Sequence, residues 1–387
     1  MIKHLVNNKI TMAKKYQICT RCVMDTSDAQ IFFDAQGVCS DCKSYFTRLA
    51  RDLHDGPEGR RLLEKTVETM KREGKNKPYD CIIGVSGGID SSYVAYLTKE
   101  LGLRPLAVHL DNGWDSELAI NNIERILKTL DIDLFTHVLD WENFRNLQIA
   151  VLRSSTVDCE LPTDNAILAA LYHQASGRGV RYIIGGTNLV TEALTPSSWA
   201  HFKYDRLMLE SINSRFSPTK LAQNDYIGIL DIAYYTLLKR TRWIPLLNYI
   251  RYNKEEAKKI MAKSVGWRDY GGKHYESIYT RFYQGYILPK KFGIDKRRAH
   301  YSALICAGQM GRQEALDLLK KDPYESGSML SEDKEYAIKK LGLTAPEFEA
   351  IMREEQKSDA EYSSEAAIYG KLKFFVDWGK RIATSAR

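Results

Sequence analysis

From Asp80 onward the sequence alternates short apolar runs with helical patterns, and no other feature constrains the fold as much. The runs are CIIGV, RPLAVHL, LFTHVL and RYIIGG; the helical segments include Ser91 to Leu101, Ser116 to Leu130, Trp141 to Arg153 and Asp164 to Ser176. Continuously apolar strands separated by helices require a parallel sheet covered on both faces. The expected class is therefore α/β, with ligands bound beyond the C-terminal ends of the strands. The stretch IIGVSGGIDSS, Ile82 to Ser92, ends the first of these strands and runs into a helix. Glycines let backbone N–H groups approach an anion and a helix N-terminus attracts it, so the turn reads as a phosphate site. Neither GxxxxGK[ST] nor GxGxxG occurs there, which removes the Walker lysine and its magnesium-binding hydroxyl.

Within the turn, Ser86, Ser91 and Ser92 offer hydroxyl donors, while Gly87 and Gly88 open the backbone amides. Asp90 beside phosphate requires an intervening cation, which makes it the candidate Mg²⁺ ligand. The plainer alternative is a glycine turn with an N-capping Asp or Ser.

Four of the seven cysteines crowd near the N-terminus in ICTRCVMDTSDAQIFFDAQGVCSDCKSY. Cys19 and Cys22 form one CxxC pair, Cys39 and Cys42 another, and two such knuckles close a tetrahedral thiolate site. Zn²⁺ suits it better than iron, and a reducing compartment disfavours two disulfides. Four protein ligands leave no open position, so the metal is expected to staple a small ribbon.

The expected organisation is a zinc ribbon over 1–47, a charged helical linker over 48–78, a nucleotide domain over 79–235 and a helical, basic-aromatic region over 236–387. Lys and Arg exceed Asp and Glu by seven, a mild excess that fits an anionic ligand without marking a nucleic-acid binder. No apolar run approaches the roughly 20 residues of a membrane span, and Asn7, Asn8 and Lys9 interrupt the leader, so a cytoplasmic protein with no membrane partner is expected.

The motif Ser86-Gly87-Gly88-Ile89-Asp90-Ser91-Ser92 resembles the SGGxDS signature of the PP-loop ATP pyrophosphatase superfamily. That resemblance implies a loop holding the β,γ-pyrophosphate of ATP, cleavage between the α- and β-phosphates, and adenylation of a substrate. It also implies that AVHLDNGW, with His109, Asp111 and Asn112, forms the adenosine-side strand end. Gly186, Thr187, Asn188 and Glu192, after the fourth strand, are candidates for closing the site from the other side.

Downstream, aromatic residues mix with Lys273, His274, Arg281, Lys290, Lys291, Lys296, Arg297 and Arg298. Such a mixture suits nucleic acid, through phosphate contacts and stacking, and equally the diphosphate of a nucleotide-sugar; solvated helix faces over a Tyr-rich core are the ordinary explanation for about half of these residues. Taken together, CTRCVMDTSD…GVCSDC, GVSGGIDSSY and YGGKHYES…TRFYQ…LPKKFGIDKRRAH with GQMGRQEAL and DPY resemble the bacterial N-acetyl sugar amidotransferases of surface-polysaccharide and nonulosonic-acid biosynthesis. The resemblance implies ATP-driven conversion of an acetamido group on a nucleotide-activated sugar into an acetamidine. It further implies ammonia from a separate glutaminase, with a cyclase-like subunit conducting it. The competing class is a tRNA-modifying PP-loop enzyme of the thiolase type. Against it, only Cys81, Cys159 and Cys306 lie outside the ribbon and none forms a CxxC pair, with Cys159 the one plausible active thiol. A non-enzymatic zinc-ribbon module would leave the complete loop signature unexplained.

Overall fold

The computed structural model describes residues 15–272, 275–366 and 368–370. Five strands, β1 Cys81–Gly84, β2 Pro105–Asp111, β3 Asp133–Val138, β4 Tyr182–Gly185 and β5 Arg242–Pro245, form one parallel sheet in the order β3-β2-β1-β4-β5. The chain winds outward from β1 to β2 and β3, then returns to place β4 on the other side of β1. That reversal opens a crevice at the C-terminal ends of β1 and β4, where doubly wound sheets bind ligands.

The strand period of two sorts the sheet's side chains between two layers. Cys81, Ile83, Ala107, Tyr182 and Ile184 face one side, whereas Ile82, Leu106, Val108 and Ile183 face the other. Before the sheet come α1 (Ser40–Asp52) and α2 (Pro57–Gly74); within it follow α3 (Ile89–Glu100), α4 (Glu117–Leu130), α5 (Trp141–Ser154), α6 (Leu161–Gly177), α7 (Leu189–Glu192), α8 (Arg206–Phe216) and α9 (Ile229–Ala233). α2, α3 and α4 cover the first side together with α10 (Lys254–Val265), through Val67, Val94, Ile126 and Met261. α5, α6 and α8 cover the second through Phe144, Ala169 and Leu209.

Of the remaining helices, α11 (Ile278–Phe282), α12 (Leu288–Phe292), α13 (Arg297–Cys306), α15 (Gly327–Leu341) and α16 (Ala345–Arg353) contribute to the second layer's core, and α14 (Arg312–Leu319) packs against α13. A π turn at Tyr283–Ile287 joins α11 to α12 as one rod. This region is mostly helical, as the sequence pattern requires. Two expected boundaries fall inside folded elements. Residue 47 lies within α1, which starts in the second cysteine knuckle, and residue 235 precedes β5 and α10, which complete the sheet and its cover. Among the described residues, no helix is long and apolar enough to cross a membrane.

Candidate functional site

The turn after β1 is built around Gly87, whose φ is +78° and whose Cβ position would lie 2.7 Å from the Ala119 carbonyl oxygen. Backbone conformation and space both exclude a side chain there. Gly88 then starts α3 with no side-chain cap, leaving the first-turn amides to an outside acceptor. Ser91 Oγ donates to the Gly88 carbonyl at 3.1 Å, accepts the Ser86 amide at 3.2 Å and lies 3.2 Å from Ser86 Oγ. The two serines therefore cross-brace the loop. Ser92 is buried beneath it, its hydroxyl without a partner among the described residues, and does not reach the cavity. At the end of β4, a Cβ on Gly186 would stand 3.1 Å from the Ser91 nitrogen, so the strand approaches the start of α3 backbone to backbone.

A roof from later in the chain closes over this loop. Trp267 Nε1 donates to the Gly87 carbonyl at 2.9 Å, and the Tyr270 hydroxyl donates to the same oxygen. The Tyr252 hydroxyl donates to Asp90 Oδ1. Beneath the roof lies a cavity of about 820 Å³. Gly88, Asp90 and Glu192 line it together with Arg281, Lys296, Arg297 and Tyr301 from the C-terminal region. Asp90 and Glu192 both act on Tyr252, whose phenol is pushed far up by burial and by these two charges, so it remains a donor. Carboxylate oxygens beside a helix start that has no side-chain cap fit a hard cation such as Mg²⁺.

Several expected site residues are engaged elsewhere. His109 places Nδ1 3.0 Å from the Val85 carbonyl and Nε2 3.0 Å from Asp115 Oδ2. Burial opposes its charge, yet Asp115 outweighs burial and raises its pKa, so the ring braces the loop from below instead of facing a nucleotide. Asp111 accepts the Gly113 amide at 2.8 Å and Asn112 accepts that of Trp114 at 3.1 Å; both shape the turn after β2. Thr187 is exposed, and Asn188 caps α7 by accepting the Thr191 amide at 2.8 Å. Glu192 alone of that group lines the cavity.

Of the basic residues, Arg281 forms a two-pronged pair with buried Asp333 at 2.6 and 2.7 Å and presents the edge of that pair to the cavity. Arg297 pairs with Asp295 at 2.7 Å and also lines the wall. Arg298 faces away, toward the ribbon, 3.0 Å from Asp25. Lys291 donates to Ser155 at 3.0 Å and to the Ile351 carbonyl, and Lys290 is exposed outside the cavity. Lys273 and His274 lie outside the described residues. Tyr252 and Trp267 are not among the expected site residues, because nothing local marks them as neighbours of the loop; Glu276, whose carboxyl stands beside Gly88, enters there only as part of YGGKHYES.

Cys19, Cys22, Cys39 and Cys42 converge, fully buried, with all four sulfurs within 4.8 Å of one another. A tetrahedron of thiolates at about 2.3 Å from zinc spaces sulfurs about 3.8 Å apart. The Cys19–Cys42 and Cys22–Cys39 separations are 3.9 and 3.7 Å, so the cluster can hold that ion. Amides of Cys39 and Met24, among others, donate to these sulfurs at 3.2 and 3.4 Å. The ribbon docks on the C-terminal helices: Arg312 donates to the Cys19 and Cys22 carbonyls at 2.8 and 2.9 Å, and Cys306 Sγ lies 3.7 Å from Cys42 Sγ.

Residues 276–375 match the family described as LPS biosynthesis protein WbpG-like, C-terminal domain. No curated protein matches the chain. Among solved structures, a predicted subunit of tRNA methyltransferase from Methanocaldococcus jannaschii is similar at 12% identity and a TM-score of 0.28, covering 47% of this chain and 75% of that one. The NH3-dependent NAD synthetase of Campylobacter jejuni subsp. jejuni gives 14% and 0.27, covering 53% and 94%. NMN synthetase from Francisella tularensis gives 14% and 0.27, covering 56% and 98%. Superpositions this loose carry no functional argument.

Proposed function

Because residues 276–375 carry the C-terminal domain of the WbpG-like LPS biosynthesis proteins, we propose that the chain is an ATP-dependent, AMP-forming amidotransferase acting on the acetamido group of a nucleotide-activated sugar. The observation that carries this reading is the shared cavity: residues of the loop after β1 and of the C-terminal helices line one space, so a nucleotide and a second substrate can meet there. An amide carbonyl is a poor electrophile, and its oxygen must first become a leaving group. In the proposed reaction that oxygen attacks the α-phosphate of ATP, the α–β bridge breaks and pyrophosphate departs, leaving an O-adenylyl imidate. Ammonia adds at the imidate carbon, AMP leaves, and an acetamidine remains.

The first-turn amides and the dipole of α3 take the developing charge on pyrophosphate, held in place by the Ser86–Ser91 brace. Asp90, with Glu192 also lining the cavity, would hold Mg²⁺, which when bound neutralises phosphate charge. Lys296 and the paired Arg281 and Arg297 give the far wall its affinity for an anionic sugar nucleotide. No cysteine lines the cavity among the described residues. Cys159 is buried, and burial raises its thiol pKa, which argues against a thiolase and against an internal glutaminase. Ammonia is therefore proposed to come from a partner glutaminase, with a cyclase-like subunit sheltering its delivery.

The test offers the purified chain ATP, Mg²⁺, ammonium and a panel of nucleotide-linked acetamido sugars. AMP, pyrophosphate and a sugar that has exchanged oxygen for NH in its mass spectrum are expected; glutamine as sole nitrogen source should give no product. Failure of every sugar, together with copurifying tRNA that is modified in the presence of ATP, overturns the proposal.

A further inference from the structure

Asp90 sits in the first turn of α3, where a carboxylate has a competing use: folding back onto the helix's own N-terminal amides, the same groups an incoming phosphate needs. Tyr252 supplies the opposing hold. Its hydroxyl donates to Asp90 Oδ1, its ring lies 6.1 Å from that of Tyr93 on α3, and its side chain is buried. The residue itself is fixed from the C-terminal region. Gln309, in the turn between α13 and α14, donates through Nε2 to the Tyr252 carbonyl at 2.9 Å and accepts the Lys254 amide through Oε1 at 3.3 Å. One amide side chain thus clamps both flanks of residue 253.

We propose that Tyr252 is a positioning residue for Asp90, held by Gln309, and that this pair sets the carboxylate in the orientation that receives the divalent cation of the bound nucleotide. The proposal rests on the reading of Asp90 as a cation ligand. Packing alone does not require the hydroxyl, because phenylalanine would fill the same space. Groups that orient a metal ligand without touching the metal typically govern affinity by about 10-fold to 100-fold.

The experiment uses the full chain with Mn²⁺ in place of Mg²⁺ and α,β-methylene-ATP as an inert nucleotide, reading free Mn²⁺ by electron paramagnetic resonance. Tyr252→Phe should weaken Mn²⁺ binding about 10-fold or more, with thermal melting and metal-free nucleotide binding close to those of the parent. Gln309→Leu should weaken it in the same direction. Parent-like Mn²⁺ binding in Tyr252→Phe overturns the proposal. Should Tyr252→Phe fail to fold, parent-like binding in Gln309→Leu does so instead. Asp90→Asn separates the two layers of inference. If it too binds Mn²⁺ like the parent, the reading of Asp90 is wrong; if it abolishes binding while Tyr252→Phe does not, only the positioning role falls.

Discussion

The Arg298 guanidinium lies 3.0 Å from the Asp25 carboxylate and donates to the Val23 carbonyl at 2.9 Å, so a residue of α13 holds the cysteine ribbon against the body of the protein. Replacing Arg298 with Met leaves the almost fully buried Asp25 carboxylate without its cation. Breaking such a pair costs about 3–5 kcal/mol. A matching fall in urea stability is expected, with faster metal loss to a chelator and unchanged nucleotide affinity. An unaltered urea midpoint would show that the ribbon does not depend on this contact.

One tightly held Zn²⁺ per chain is expected from the four converging sulfurs. Cys39→Ser should lose it and loosen the ribbon while nucleotide binding at the sheet persists. Elemental analysis of freshly purified, unchelated protein decides the matter, and finding no metal refutes it.

Gly87→Ala combines a positive φ with a Cβ 2.7 Å from a backbone oxygen, which has no flexible side chain to move aside. The backbone strain alone is worth about 1–3 kcal/mol. The loop should deform enough to abolish pyrophosphate release while circular dichroism stays native-like. Ser86→Ala removes one brace of the same loop and should retain measurable turnover. Equal turnover in both variants would contradict this ranking.

His201 provides a pH signature. Burial opposes its charge, but hydrogen bonds to Asp205 at 2.7 Å and Asp359 at 2.8 Å prevail and lift its pKa from 6.5 to about 9. A folded-state pKa above the unfolded one contributes stability that is complete below pH 6.5 and disappears as pH rises through about 9. The amount is roughly 3 kcal/mol. Urea melts of the parent and of His201→Gln should therefore differ most at pH 6 and converge near pH 9.5. A gap that stays constant across that range would remove the histidine from the account.

Where a residue's role follows from its neighbours in sequence, the chain was legible. β1 to β4, α3 to α6, the glycine turn and the two cysteine knuckles each carry a period or a spacing that is contained in a short stretch of chain. β5, Arg242–Pro245, is not marked as a strand in the sequence: it is a four-residue edge strand that ends in a proline and runs straight into the apolar turn Leu246–Tyr249. The basic cluster was misleading for a related reason. Arg298 and Lys291 look like ligands in a list of charges, yet Asp25 and the Ile351 carbonyl engage them, and in both cases the partner is far away in the sequence. His109 likewise stands at a strand end as a ligand would, and only the fold places Asp115 and the Val85 carbonyl on its two nitrogens.

The roof over the loop carries a consequence for biosynthesis of the chain itself. The Asp90–Tyr252 and Gly87–Trp267 contacts span 162 and 180 residues. A ribosome delivers the loop and most of the sheet well before these partners, and domains begin to fold from the N-terminal side as they emerge. The nascent sheet therefore presents its glycine turn without the Tyr252, Trp267 and Tyr270 contacts until the segment through Tyr270 has left the exit tunnel. Translation order thus acts as a timer: a truncated chain ending before Tyr252 lacks the latch.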